Sequence, residues 1–269
     1  MNAKSRLIAS RTTLAAASLL ACGPGMAQDT PAATAAPANG AVEAAAIATV
    51  ERMQTYIGAL KNYSVSARTT EDDILSFGYK LQNNETVELL VAEPNSLRVD
   101  VAGDDRDQLY LFHDGQFTML AKRLNVYTQF PVKASLGEAV GKLLDDGVEM
   151  PLIDFIYQGD HGTLLDGIRA GRVVGTSRID GVLCDHLAFR QSTIDWQLWV
   201  AQGDKPLPRK MLITTRYEFG EPQFEAILNW DVAPKIGADS FAFTPPKDAR
   251  QIEFTAGAFA TAITAEDQP

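Results

Sequence analysis

Apolar and polar residues alternate singly along much of the chain, the period of a half-buried strand. In Tyr63–Thr70 the residues Tyr63, Val65 and Ala67 share one face. In Leu97–Val101, Leu97, Val99 and Val101 lie on one side, and Arg98 and Asp100 on the other. The sharpest local signal is Asp114-Gly115. A two-residue turn of type I′ needs positive φ at both central positions, which Asp-Gly supplies. That turn predicts the pairs His113–Gln116, Phe112–Phe117, Leu111–Thr118, Tyr110–Met119 and Leu109–Leu120. One face then carries Tyr110, Phe112, Phe117 and Met119, and the other Leu109, Leu111, Thr118 and Leu120. Neither is polar, so both are expected to be covered, or one to line an apolar cavity.

Helical spacing interrupts this pattern in three places. Ile47, Val50, Met53, Ile57 and Leu60 make a stripe that predicts a helix over 42–60. Ser135-Leu136-Gly137-Glu138 reads as a capping box opening a helix whose apolar face is Leu136, Val140, Leu143 and Leu144. Pro151 can open a third, short helix in which Leu152, Ile153, Phe155, Ile156 and Tyr157 are apolar almost all round, so that it must be buried or cover something apolar. Further strands are expected at Ser76–Gln82 and Glu85–Ala92, as a hairpin across Asn83-Asn84, and at 126–130. Five more follow between Arg172 and Asp231, the first two joined by Asp180-Gly181. The fold class predicted is mainly β with helices (α+β): one large curved antiparallel sheet holding helices on one face.

The ends of the chain add a location. Lys4, Arg6 and Arg11 precede a short apolar run, Thr12–Ala21, and Gly25-Met26-Ala27 is a small-x-small site. Residues 1–27 therefore read as a secretory signal, whose apolar run is too short to span a bilayer as a helix. Leu19-Leu20-Ala21-Cys22 opens a second reading, in which Cys22 carries lipid. Residues 28–41 read as an Ala/Pro-rich tether, 42–254 as one domain, and 255–269 as a disordered tail. No later stretch supplies a spanning helix, so the exported chain is expected to be soluble or peripheral to the membrane.

Charge narrows the partners. The chain carries 24 Lys and Arg against 34 Asp and Glu, a formal charge of −10. Loss of the three cations in residues 1–27 leaves 21 against 34, or −13. Such a chain repels nucleic acid, and no nucleic-acid partner is expected. With Cys22 removed, Cys184 is the single cysteine and no internal disulfide can form.

Little in the chain suggests catalysis. Cys184 and His186 share a strand face, but a metal would want a further ligand, for which His161 and Asp185 are the neighbours to consider. Side chains two apart on a strand point in parallel, which suits a nucleophile and its base poorly. There is no Gly-rich phosphate loop, HExxH or GxSxG, and neither a cofactor nor a metal is expected. Trp196 and Trp199 point to opposite faces of one strand and read first as packing, as does Trp230. Arg98, beside an apolar face, either pairs with Asp100 towards solvent or reaches carbonyls of a covering loop or helix.

Taken in order, several pieces resemble one family. They are Leu60-Lys61-Asn62-Tyr63, Pro94-Asn95-Ser96-Leu97-Arg98-Val99, the Phe112–Phe117 hairpin with Asn125-Val126-Tyr127, Asp180–Leu187, Asp195–Trp199, Leu207–Lys210 and Phe241–Lys247. They resemble the LolA-like superfamily, which takes in a periplasmic lipoprotein carrier, its outer-membrane receptor LolB and the sensor RseB. Within it the chain looks most like an exported branch known as a domain of unknown function. The resemblance implies an incomplete antiparallel barrel closed by helices, an apolar cavity for acyl chains, and an arginine, here Arg98, tying the sheet to the lid. The function it implies is a non-enzymatic periplasmic protein, carrier- or chaperone-like, that binds a lipid, an acyl chain or a lipidated protein in a half-barrel cavity. The expected ligand-binding residues are Leu97, Val99, Tyr110, Phe112, Phe117, Met119, Phe130, Leu152, Phe155 and Ile156. The alternative is an envelope protein-interaction or sensor module with a filled core.

Overall fold

The computed structural model describes residues 40–148, 150–153 and 164–254. In chain order these form α1 (Ala44–Ala59), β1 (Asn62–Ile74), β2 (Lys80–Ala92), β3 (Ser96–Gly103), β4 (Asp107–His113), β5 (Gln116–Ala121), β6 (Val126–Pro131) and α2 (Leu136–Asp145). After these come β7 (Ala170–Ile179), β8 (Val182–Arg190), β9 (Ile194–Ala201), β10 (Pro208–Thr215), β11 (Gln223–Asp231) and the short β12 (Arg250–Gln251). All twelve strands join one sheet in the order β12-β6-β5-β4-β3-β2-β1-β11-β10-β9-β8-β7. The expected signal peptide, the tether up to residue 39 and the tail beyond residue 254 lie outside the described residues. Among the described residues no helix is long and apolar enough to cross a membrane.

The expectation of an incomplete antiparallel barrel is not met. The sheet is open, neither closed into a barrel nor strongly curled, and it is mixed, because β12 runs parallel to β6. Closure needs the first and last strands to share hydrogen bonds. Here each edge is met by a different segment. β12 covers β6, while the chain entering α1 covers β7: the Gly171 N–H donates to the Ala41 carbonyl (3.2 Å), the Glu43 N–H to the Gly171 carbonyl (2.8 Å), and the Val173 N–H to the Glu43 carboxylate (2.9 Å). With both edges occupied, the pressure that unpaired edge strands exert toward further pairing is relieved without closure. Gly171 is needed at this crossing, since a Cβ there would lie 2.7 Å from the Phe189 ring.

A second difference lies in the first hairpin. Asn83-Asn84 is not a turn. β2 runs straight through it, with Asn83 opposite Glu71 and Asn84 opposite Thr70. The reversal lies at 75–79 instead, where Gly78 takes φ 87°. Asn84 spends its polar groups on Asp104, which accepts from both its backbone N–H (2.8 Å) and its side-chain amide (3.2 Å).

Alternation sorts the sheet into two faces. The inner face carries Tyr63 and Val65 (β1), Val87 and Leu89 (β2), Leu97 and Val99 (β3), Tyr110 and Phe112 (β4), and Phe117 and Met119 (β5), continuing through Leu228, Met211, Leu198 and Leu187. The buried stripe of α1, Ala46, Val50, Met53 and Ile57, joins the same apolar cluster. So do Leu136, Ala139, Val140 and Leu143 of α2.

The outer face of β4 and β5 is buried too. Leu109, Leu111 and Leu120 are each 6% exposed or less. The chain after β11 crosses the sheet to reach β6. On the way Phe241 stacks on His113 (ring centroids 5.7 Å apart) and Phe243 packs on Tyr127 (5.4 Å). Asn125 donates a side-chain N–H to the Lys247 carbonyl (3.1 Å). This C-terminal strap explains why neither face of the central hairpin reads as polar.

Candidate functional site

The site is built on the Asp114-Gly115 turn. Asp114 and Gly115 take φ 46° and 76°, and the strands pair as the turn requires: His113 with Gln116, Phe112 with Phe117, Leu111 with Thr118, Tyr110 with Met119 and Leu109 with Leu120. β3 adds Leu97 opposite Phe112 and Val99 opposite Tyr110. β6 adds Phe130 opposite Phe117. Leu97, Val99, Tyr110, Phe112, Phe117 and Met119 are thus brought together on one face, each 3% exposed or less. Phe130 is only half-buried. Its ring lies 5.2 Å from Phe117 and 4.8 Å from Phe254, so three aromatic rings run from the core to the sheet edge.

The cover over this face starts at α2. A capping box opens the helix, and the Glu138 carboxylate accepts from both the Ser135 N–H and its hydroxyl (2.9 Å each). These bonds hold the Glu138 carboxyl below its ordinary value. The Leu136 N–H donates to the Pro94 carbonyl (3.0 Å), anchoring the helix at the end of β2. Val148, Met150, Leu152 and Ile153 follow and are buried in the same cluster. Leu152 holds φ 66°, a left-handed conformation that a branched aliphatic side chain rarely adopts. Phe155 and Ile156 lie outside the described residues.

One end of the inner face is polar. Arg106 reaches across from the β3–β4 turn and makes a two-point ion pair with Glu85, its Nη2 donating to Oε2 at 3.0 Å and its Nε donating to Oε1. Burial works against the charge on Arg106, but the bonds and charge of Glu85 outweigh it and raise its affinity for the proton. Tyr110 donates its hydroxyl to the buried Gln108 beside this pair. Neither Glu85 nor Arg106 was singled out from the sequence. They stand 21 positions apart, and only the register of β2 with β3 joins them.

Arg98 sits on the outer face. Its described hydrogen bond goes to Asp100 (3.0 Å), which also accepts from Lys122 (2.5 Å). Among the described residues no group of three or more His, Cys, Asp or Glu comes together around the Cys184–His186 pair, and His161 lies outside the described residues. His186 stacks on Trp199 (4.1 Å) and its Nε2 meets the side-chain Oε1 of Gln197 at 2.9 Å. Burial pushes the Cys184 thiol up, away from the reactive thiolate. The tryptophans pack as expected. Trp196 stacks on Phe189 (4.2 Å) on the inner side, Trp199 lies outside beneath Lys210, and Trp230 donates to the Pro208 carbonyl (2.8 Å).

Comparison with known proteins adds distant likenesses. An uncharacterized conserved protein from Thermus thermophilus is 11% identical, with a TM-score of 0.46 over 77% of this chain and 98% of that one. Lipoprotein LppX of Mycobacterium tuberculosis is 13% identical, with a TM-score of 0.45 over 72% and 98%. A LolA superfamily protein from Nitrosomonas europaea is 8% identical, with a TM-score of 0.33 over 74% and 97%. No curated protein matches the chain. One family model does match, over residues 46–255, which takes in α1, both sheet faces and the strap. The chain belongs to that family, described as predicted periplasmic protein (DUF2092).

Proposed function

We propose that this protein is a binding protein of the periplasm, not an enzyme, and that it takes a hydrophobic ligand, an acyl chain or the lipid of a lipidated protein. The ligand lies against the inner face of β3–β6, under α2 and the segment that follows it. Export through the signal in residues 1–27 brings the protein there, either freed by cleavage after Ala27 or held by lipid on Cys22. The observation that carries the reading is the uninterrupted apolar face of Leu97, Val99, Tyr110, Phe112, Phe117 and Met119, with a half-open aromatic edge at Phe130 and a polar end at Glu85 and Arg106. An acyl chain asks for apolar contact along its length and a few polar groups at one end.

The cover has to move for a ligand to enter. Leu152 supports this, since a left-handed non-glycine residue costs about 1–2 kcal/mol and such strain gathers at clamps and switches. In this reading Phe155 and Ile156 also contact the ligand. A second reading, an interaction or sensor module with a filled core, is favoured by the near-complete burial of the six face residues. Native mass spectrometry of the protein purified from periplasm separates the two. Co-purifying lipid, lost on extraction and regained on incubation with free fatty acid, is the result expected of the carrier. Repeated preparations with no ligand and no uptake would favour the filled module.

A further inference from the structure

At one end of the sheet two turns meet. The β1–β2 turn carries Phe77 and Tyr79, and the β10–β11 turn carries Tyr217 and Phe219. β1 lies between β2 and β11, which brings the turns side by side. A Cβ on Gly78 would sit 3.7 Å from the Phe219 ring, and one on Gly220 would sit 3.1 Å from Ile74. The Asp72 carboxylate ties them further, accepting from Lys80 (3.0 Å) and from the Gln223 N–H (3.1 Å). All four aromatic rings face water: Phe77 is 68% exposed, Tyr79 67%, Tyr217 69% and Phe219 80%. Single exposed apolar residues are ordinary, but four aromatic rings gathered on touching turns make a patch of the kind that marks a contact site.

The surroundings of the patch say what it fits. Residues 71–80 and 215–222 hold five carboxylates, Glu71, Asp72, Asp73, Glu218 and Glu221, against two cations, Lys80 and Arg216. Lys80 is paired with Asp72, and Arg216 lies 3.7 Å from Asp195. Beside the patch, between the end of β1 and the β10–β11 turn, a cleft of about 300 Å³ is lined by Glu71, Asp72, Asp73, Glu218 and Phe224. A bilayer rich in anionic lipid is repelled by this ring of carboxylates and by the formal charge of −10. A cationic side chain is drawn to it twice, by the carboxylates and by the faces of the aromatic rings.

We propose that the paired turns carrying Phe77, Tyr79, Tyr217 and Phe219 are a docking surface for a protein segment that is both basic and apolar. Its cations enter the acidic cleft and its apolar side chains cover the rings. This surface is separate from the inner face of the sheet, and its use does not depend on a ligand there.

The test is fluorescence anisotropy of the full chain with three labelled peptides of equal length: alternating Lys-Leu, alternating Glu-Leu and alternating Lys-Ser. The Lys-Leu peptide is expected to bind about tenfold or more tighter than the other two. Phe77→Ser with Phe219→Ser, and separately Asp73→Asn with Glu218→Gln, are each expected to weaken it by about tenfold. All four positions are exposed, Phe77, Glu218 and Phe219 on turns and Asp73 at the end of β1, and circular dichroism checks that the fold survives. Equal binding of the Lys-Leu peptide by both variants would overturn the proposal, because the attraction would then belong to the whole acidic chain. Equal binding of the Glu-Leu peptide would overturn it as well. So would co-sedimentation with phosphatidylethanolamine/phosphatidylglycerol vesicles that the aromatic variant loses while its peptide affinity stays, since the patch would then be a membrane contact.

Discussion

Phe112 and Phe117 lie directly opposite each other across β4 and β5, both 1% exposed, because Asp114 and Gly115 take the left-handed conformations of a two-residue turn. The turn therefore sets which side chains face inward together, since a slip of one residue between the strands would put the two rings on opposite faces. Gly115→Val forces a branched side chain into φ 76° and is expected to cost about 1–2 kcal/mol. Asp114→Asn, which tolerates positive φ, should be close to neutral. Urea unfolding of the two variants checks this, and equal midpoints would remove the turn as the source of the register.

The inner face is also the core of the domain, so its large residues carry stability. Phe112→Ala is expected to lose about 3–5 kcal/mol. Met119→Leu, which nearly conserves volume, should lose less than about 1.5 kcal/mol. Similar losses for both, measured by urea unfolding, would mean that the face is loosely packed around Phe112.

The Glu85–Arg106 pair is mostly shielded, with side-chain exposures of 8% and 18%. Glu85→Gln leaves a guanidinium without its counter-charge, at an expected cost of about 3 kcal/mol. Adding Arg106→Met to that variant should restore most of the loss. A double variant as unstable as the single one in thermal melts would show that the pair supplies more than charge balance.

Acid should loosen the cover. The folded state holds the Glu138 carboxyl below its ordinary 4.5, through its bonds with Ser135. A depressed carboxyl stabilises the fold above its unfolded value, and that contribution is lost as pH falls through the folded value. Amide protection in the first turn of α2, referenced to the intrinsic exchange rate at each pH, should therefore fall as the pH drops below the ordinary carboxyl range. Glu138→Gln should show the lower protection at every pH, with no added acid dependence. Unchanged protection in acid would sever the link between the capping box and the helix.

Much of the central site was legible in the sequence, because its signals are local. A two-residue turn, a capping box and alternation each act over a few positions, and they set the β4–β5 register, the start of α2 and the inner faces of β3–β5. What the sequence hid depends on distant partners. Asn83-Asn84 resembles a turn until the pairing with Glu71 and Thr70 is known. Glu85 and Arg106 meet only through strand register. The strap owes its place to Phe241 on His113 and Phe243 on Tyr127, contacts between segments more than a hundred residues apart. Barrel closure, expected from resemblance, fails because separate end segments already occupy the two sheet edges.

The most direct measurement of the central claim is photo-crosslinking of the purified full chain with palmitic acid bearing a diazirine on its chain, followed by peptide mapping. The account predicts label on the β4–β5 hairpin at Phe117 and Met119 and on the Val148–Ile153 cover, competed away by unlabelled palmitate. Absence of competed label from those peptides, or label confined to the exposed turns at Phe77 and Phe219, would contradict it.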